Sequence, residues 1–311
     1  MNTSRHTKTG SYRGCCRIKT VVTGGAGYIG SRLVPLLLEE GHDVTVFDSL
    51  AGSSPDNLAG VFGDIEFVRG DVRDYDEVRD ALEGVDAVIH LAAITGASET
   101  FEIREKTFDV NQEGTKTVLR ASEEAGVDKA VFASSCNVYG STDSFEVDEE
   151  VEPDPLNPYA EAKLSAEKDC FDSSVSTAVL RLSTNYGWSD GIRFNLVVNS
   201  FVFRALVGEP LTVYGDGTNW RPFMHVKDTA RALKQALGWD EGVYNVGGDN
   251  LTINEVAATV VNRVAETDVK HLDRDGGPSY RVDFSKAHEA GYEPEYGFGE
   301  GVEKMAEALH G

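Results

Sequence analysis

Thr23-Gly24-Gly25-Ala26-Gly27-Tyr28-Ile29-Gly30 is the stretch on which the fold turns. Ahead of it, Ile18 to Thr23 is a short apolar run rich in β-branched residues, which reads as a buried parallel strand. Behind it, Ser31 to Glu40 carries Leu33, Leu36 and Leu37 at helical spacing. Glycine at 24, 27 and 30 permits a tight turn, close approach of backbone to a phosphate, and close packing of helix on strand. The free N–H groups of the helix's first turn make an anion site of Gly24, Gly27, Tyr28, Ile29 and Gly30. Gly41 is expected to end the helix, and Asp43 to Asp48 is a second strand. Asp48 falls about 20 residues beyond the turn, where dinucleotide-binding units place the carboxylate that holds the adenine ribose. A carboxylate there accepts from both ribose hydroxyls and repels a 2′-phosphate, so NAD is expected rather than NADP.

Strand and helix patterns go on alternating. Ile65 to Arg69 reads as a strand ending in Gly70-Asp71-Val72, Asp74 to Leu82 as a helix, and Ala87 to Leu91 as a strand running into Ala92-Ala93. A helix over Thr107 to Ala125 and a strand over Lys129 to Ala133 follow. The alternation predicts an α/β fold, a Rossmann-type doubly wound parallel sheet. In such sheets ligands sit beyond the carboxyl ends of the strands, where Asp48, Asp71, residues 91–95 and Ser134-Ser135 all fall. Asn157-Pro158-Tyr159 opens another helix, to about Phe171, and Ala178 to Leu182 is a strand. From 187 to 219 the texture turns irregular. The expected organisation is a nucleotide-binding domain over 18–182 and a smaller, mainly substrate-binding lobe over 183–311. No linker separates them, so they are expected to share core.

Tyr159 and Lys163 stand at i and i+4, on one helical face. A neighbouring ammonium and a positive nicotinamide ring are expected to lower the phenol's pKa from about 10, so that it serves as a general base near neutrality. Ser135 is expected to hydrogen-bond the substrate hydroxyl and steady the proton in flight.

These motifs resemble those of the extended short-chain dehydrogenase/reductases, in their nucleotide-sugar epimerase/dehydratase group. The matching residues are the 23–30 turn, Asp48, Gly-Asp-Val at 70–72, His-Leu-Ala-Ala at 90–93, Asn111, Ser-Ser-Cys-Asn-Val-Tyr-Gly at 134–140, Asn-Pro-Tyr-Ala-Glu-Ala-Lys at 157–163, Gly-Asp-Gly at 215–217, Arg-Pro-Phe-Met-His-Val at 221–226 and Asp-Phe-Ser-Lys-Ala at 283–287. The resemblance spans residue 18 to about 310. It implies tightly held NAD and a catalytic set of Ser135, Tyr159 and Lys163, with Asn111 supporting the site. It also implies that Asp71 and Val72 contact adenine, that Leu91, Ala92 and Ala93 line the nicotinamide side, and that part of 226–249 returns to the nucleotide lobe. On the substrate side it points to Arg221 and, at an offset spacing, Arg274 for a diphosphate, and to Tyr280 as a limit on bulk near the sugar. Where relatives carry a substrate-binding Asn this chain has Thr184, with Asn185 next to it, and Arg193 or Asn195 could compensate. His90 and His225 are expected to be structural, and Cys136 to pack. The family further implies a homodimer through the helix ending near 125 and the helix carrying Tyr159.

Sugar 4,6-dehydratases carry an acid pair directly after the residue equivalent to Ser135; here Cys136 and Asn137 stand there, which disfavours elimination of water. What remains is epimerisation of a nucleoside-diphosphate sugar at C4, with Tyr159 taking the hydroxyl proton and a 4-keto sugar forming transiently. A 4-keto reductase or dehydrogenase of the same fold, and a silent nucleotide-sensing protein, are the alternatives.

The 311 residues hold 29 Lys and Arg against 52 Asp and Glu, a formal net charge of −23. That balance argues against nucleic-acid and anionic-membrane partners. Cys15, Cys16, Cys136 and Cys170 show no metal-ligand spacing, so no metal is expected and free thiols in a reducing cytoplasm are. Residues 1–17 are polar and locally basic, and read as a disordered extension or the product of an upstream start codon. The acidic residues are spread along the chain, as in an acidic mesophilic protein or in a salt-adapted surface from a halophile. For the salt-adapted surface, screening of self-repulsion should make the melting temperature climb steeply into molar KCl, and a flat response would contradict it.

Overall fold

The computed structural model describes residues 17–142 and 144–310; the expected extension lies outside them, apart from Arg17, which pairs with Asp43. The first half alternates β1 (Lys19–Thr23), α1 (Gly30–Glu39), β2 (Asp43–Asp48), β3 (Glu66–Arg69), α2 (Tyr75–Ala81) and β4 (Ala87–His90). Then come α3 (Arg104–Phe108), α4 (Gly114–Ala125), β5 (Lys129–Ser135), β6 (Glu146–Val147), α5 (Pro158–Asp172) and β7 (Ser176–Leu182). The second half runs β8 (Thr184–Tyr186), α6 (Val197–Leu206), β9 (Leu211–Tyr214), β10 (Trp220–His225), α7 (Val226–Gln235) and β11 (Gly242–Val246). It closes with β12 (Asp249–Thr252), α8 (Ile253–Arg263), β13 (Val269–Leu272), β14 (Arg281–Val282), α9 (Ser285–Glu289) and α10 (Phe298–His310).

A seven-stranded sheet in the order β11-β7-β5-β4-β1-β2-β3 forms the centre, and every neighbouring pair in it is parallel. The order reverses between β1 and β4, and the crevice at such a switch point is where doubly wound sheets bind ligands. Helices α1 and α7 cover one face with Leu33, Leu37, Ala230 and Leu233. Helices α2 and α4 cover the other with Val78, Val118 and Ala121. Strand β11 extends the main sheet beside β7. A separate core gathers α6, α8 and α10 around Phe201, Val256, Val260, Val302 and Met305.

The structure differs from the sequence pattern in two places. The span from 187 to 219 holds a regular helix, α6, whose VVNSFVFRAL composition is apolar almost all round and starts without a side-chain cap. It therefore shows neither the one-sided stripe nor the start signal that marks a helix. The helix expected from Thr107 begins at Arg104 and passes through a π-helical segment, Asp109–Glu113, before α4. That wider turn buries Asn111 completely, and such insertions recur at functional sites.

The glycine turn is packed backbone against backbone. Gly24 has φ +70°, and a Cβ there would stand 2.7 Å from the Ala92 nitrogen. A Cβ on Gly30 would stand 2.3 Å from the Gly25 carbonyl oxygen. Gly30→Ala should therefore cost about 3 kcal/mol and weaken dinucleotide binding. Gly41→Ala, at φ +83° with no atom within 4 Å of the new methyl, should cost about 1–2 kcal/mol and leave binding intact. Thermal melts and NAD titrations of the two variants check the contrast.

Candidate active site

The nucleotide end is built by the carboxyl ends of β1, β2 and β3. Gly24 N–H donates to the Phe47 carbonyl at 2.8 Å and Gly27 N–H to the Gly24 carbonyl at 3.1 Å. No hydrogen bond among the described residues uses the N–H groups of Tyr28 and Ile29, the unpaired donors expected at a helix start. Asp48 accepts from Ala26 N–H at 3.0 Å, Leu50 N–H at 2.9 Å and the Ser53 hydroxyl at 2.8 Å. A carboxylate has about four acceptor positions, so Asp48 braces the turn and still has room for a hydroxyl. Asp71 receives the Arg73 guanidinium at 2.6 and 3.0 Å, which holds its carboxyl below the usual range. Val72 is buried beside Gly114, whose added Cβ would meet it at 2.7 Å.

The next strand end positions residues 91–95. Asn111 accepts from Ile94 N–H at 2.7 Å and donates to the Ile94 carbonyl at 2.8 Å. Beneath it, His90 lies between the Thr23 hydroxyl at 2.6 Å and the Thr115 hydroxyl at 3.0 Å. Burial keeps that imidazole neutral, with its pKa lowered to about 3. His225 is buried likewise, stacked on Tyr296 at 4.2 Å between ring centres.

These elements open onto a cavity of about 370 Å³. Tyr28, Leu91 and Ala93 form its nucleotide side, and Ser135, Tyr159 and Lys163 its centre. Thr184, Asn185, Asn195 and Tyr280 close the far side, with Arg193 beside them. The sequence places Tyr159 there by its start signal: the Asn157 side chain accepts from Ala160 N–H at 3.0 Å, and Pro158 takes the first helical position. Tyr159 and Ser135 then line the same cavity, and Ser135 is near enough to favour the ionised phenol.

The protein's own groups raise the Tyr159 phenol, burial outweighing Ser135 and the Arg193 charge; the lowering expected from sequence counted the positive nicotinamide ring as well. Lys163 is not among the groups that shift the phenol. Its ammonium donates to the Ala133 carbonyl at 2.7 Å and sits 4.6 Å from the Phe132 ring centre. Burial lowers the Lys163 pKa to about 8. Desolvation penalises both charged forms and dominates here.

Among the substrate-side residues, Tyr280 is buried and its hydroxyl donates to the Cys136 carbonyl at 2.7 Å. The Cys136 thiol is buried against the Arg181 carbonyl and pushed up to about 12 by desolvation. Arg221 sits with its guanidinium 5.5 Å from the Tyr280 ring centre, and its buried Nη1 has no partner among the described residues. Neither Arg221 nor Arg274 lines the cavity, and Ala92 does not either; Arg274 is exposed and lies over Tyr214. Arg193 bonds the Thr95 hydroxyl, and Asn195 reaches Glu99 at 3.4 Å, so two loops meet across the cavity mouth. Sequence reading missed Glu167 and Arg181, buried beneath this floor. The signal was present in Glu167, a charge one turn past Lys163 on an alanine-rich face.

Among the described residues no helix is long and apolar enough to cross a membrane, and no cluster of three or more His, Cys, Asp or Glu could hold a metal ion.

Comparison with known proteins adds the following. The model of the NAD dependent epimerase/dehydratase family matches residues 20–247. The Haloferax volcanii low-salt glycan biosynthesis protein Agl12 is 32% identical over 300 residues, covering 91% of this chain and 96% of its own. UDP-glucose 4-epimerase of Thermus thermophilus, solved with NAD, superposes with a TM-score of 0.85 at 32% identity, covering 94% of this chain and 99% of that one. The dTDP-glucose 4,6-dehydratase DesIV of Streptomyces venezuelae, also solved with NAD, gives 0.86 at 31%, covering 94% and 97%.

Removing the Asn111 side chain tests the brace on residues 91–95. Asn111→Ala leaves the Ile94 N–H and carbonyl without their partner, so it should cost about 2–3 kcal/mol in a denaturant melt and weaken NAD binding measurably. Unchanged affinity would show that the loop holds its place without Asn111.

Proposed function

The chain belongs to the NAD-dependent epimerase/dehydratase family and its cofactor is NAD, and from that premise we propose that it epimerises a nucleoside-diphosphate sugar at C4. The observation that carries the proposal is the convergence of Ser135, Tyr159 and Lys163 in one cavity whose neighbouring positions are Cys136 and Asn137. Elimination of water needs a further proton donor and acceptor at the sugar. A thiol buried and pushed up to about 12 and a carboxamide supply neither. Epimerisation needs only one proton removed from a hydroxyl and later returned.

The residues present fit the dinucleotide. The turn at 24–30 leaves no room for side chains where backbone must approach a pyrophosphate, its Tyr28 and Ile29 N–H groups are unpaired, and Asp48 keeps an acceptor position for a ribose hydroxyl. Bound NAD would supply reversible hydride acceptance at the sugar carbon and the positive charge of an oxidised ring. Tyr159 takes the proton of the sugar 4-hydroxyl, and Ser135, beside it in the cavity, holds that oxygen in line. Arg193 supplies positive charge that opposes the cost of a buried phenolate. Arg221, with a free buried nitrogen, is the proposed partner of the substrate diphosphate, for which a guanidinium offers paired donors. Asp71 and Val72 are assigned to the adenine, and Thr184, Asn185, Asn195 and Tyr280 to the sugar. Arg274, exposed as it stands, would have to act at the outer end of the nucleotide.

A proton NMR time course in molar KCl, with UDP-glucose, UDP-galactose and their dTDP counterparts, tests the reading. A new anomeric signal without accumulating NADH is the expected result. Stoichiometric NADH with a keto product would assign the chain to the dehydrogenases instead. Tyr159→Phe should lower turnover by about 100-fold or more while NAD binding persists; full activity in that variant would overturn the proton-transfer role.

A further inference from the structure

Below the cavity floor lies a charge pair that the proposed chemistry does not use. Glu167 and Arg181 are 3% and 5% exposed. Glu167 accepts from Arg181 Nε at 3.1 Å and Nη2 at 2.8 Å, and from the Ser134 hydroxyl. Arg181 Nη1 donates to the Tyr139 hydroxyl at 3.1 Å, and that hydroxyl donates to the Asp148 carbonyl at 2.8 Å. Ser134 and Arg181 stand opposite each other in register on β5 and β7.

Stability does not require this arrangement, because replacing a buried ion pair by packed apolar side chains is often neutral or favourable. The best-attested use of such a pair is to fix register. Most of the side chains α5 buries are small, Pro158, Ala160, Ala162, Ala166 and Cys170, and two are charged, Lys163 and Glu167. Lys163 ties the helix to the Ala133 carbonyl of β5, and Glu167 adds the tie that reaches both β5 and β7. Glu167 follows Tyr159 and Lys163 at successive four-residue steps, hence on the same face. Its partner Ser134 is the residue before Ser135.

We propose that the Glu167–Arg181 pair is a positioning element that locks α5 to β5 and β7, and so holds the Tyr159 and Ser135 hydroxyls on the same substrate oxygen. The proposal rests on the reading of Tyr159 as the proton acceptor. Misplacement of a reacting group by about 1 Å can cost 100-fold in rate, so a loss of register is read in kcat before it is read in binding.

The test uses the full chain loaded with NAD and the double variant Glu167→Met with Arg181→Met, which removes the pair without changing net charge. It should melt within about 5 °C of the parent, lose about 100-fold in kcat and keep KM for the sugar nucleotide within about threefold. Glu167→Gln, which keeps the side chain's shape, should lose about tenfold and decides the matter if the double variant does not fold. Folded variants that keep kcat within threefold would overturn the proposal.

A second readout does not depend on turnover. Tyrosinate absorbance, taken as the difference between each protein and its Tyr159→Phe version, isolates the titration of Tyr159. The groups that face the phenol are Ser135, Arg193 and Cys136, with Lys163 one turn along α5; Glu167 and Arg181 are not among them. Because Glu167 also acts on Lys163 and both members of the pair act on Cys136, the expected result is a displacement of about one pH unit in the double variant that Lys163 and Cys136 charges alone do not produce, checked by the same titration in Glu167→Gln; an unmoved titration contradicts the proposal. If the parent turns over no sugar nucleotide, the epimerase reading falls, and the titration alone decides the positioning role.

Discussion

Contact between backbone and backbone at the glycine turn is the constraint from which the site follows. The space between Gly24 and Ala92 is too small for a methyl group, so the end of β1 and the segment leaving β4 must lie against each other. Their contact falls at the switch point of the sheet, where a crevice opens by topology alone. Everything around the contact holds it. Asp48 ties the turn to the end of β2, His90 joins β1 to α4 through two threonines, and Asn111 fastens the segment from the far side. Because those brackets are buried hydrogen bonds, deleting one leaves a partner unpaired in a dry interior, which costs more than the bond itself contributes.

The chemistry at the centre of the cavity is set against that same burial. Desolvation raises the Tyr159 phenol and lowers the Lys163 ammonium, driving both toward their neutral forms. A proton acceptor needs the opposite bias. Ser135 and the charge of Arg193 supply part of it. Burial outweighs them and biases the phenol toward its protonated form.

Most of the architecture was legible because its signals are local. A glycine turn between an apolar strand and an amphipathic helix, an aspartate at the next strand end, and an Asn-Pro helix start each depend on a few neighbouring residues. Helix α6 was not legible, since an apolar run with β-branched residues and no cap carries no helical signature. Nor was the π-helical insertion at Asn111, which only tertiary packing reveals. In the site, the cluster of Ser135, Tyr159 and Lys163 could be read from strand ends and helix spacing, but the sign of the Tyr159 shift could not, because it depends on burial. Arg274 was assigned to the substrate from its spacing alone, and the fold leaves it exposed over Tyr214. The pairing of Glu167 with Arg181 stayed hidden because only the fold brings helix α5 against β7.

The most direct measurement of the central claim follows an isotope through the reaction. UDP-glucose carrying deuterium at C4 is incubated with the NAD-loaded protein in ordinary water, and both product and absorbance are followed. Hydride removal and return within one cavity predicts a C4 epimer that keeps its deuterium, with no net reduced nicotinamide. Sugar that loses the label to solvent, or reduced nicotinamide formed in step with a keto product, would contradict it.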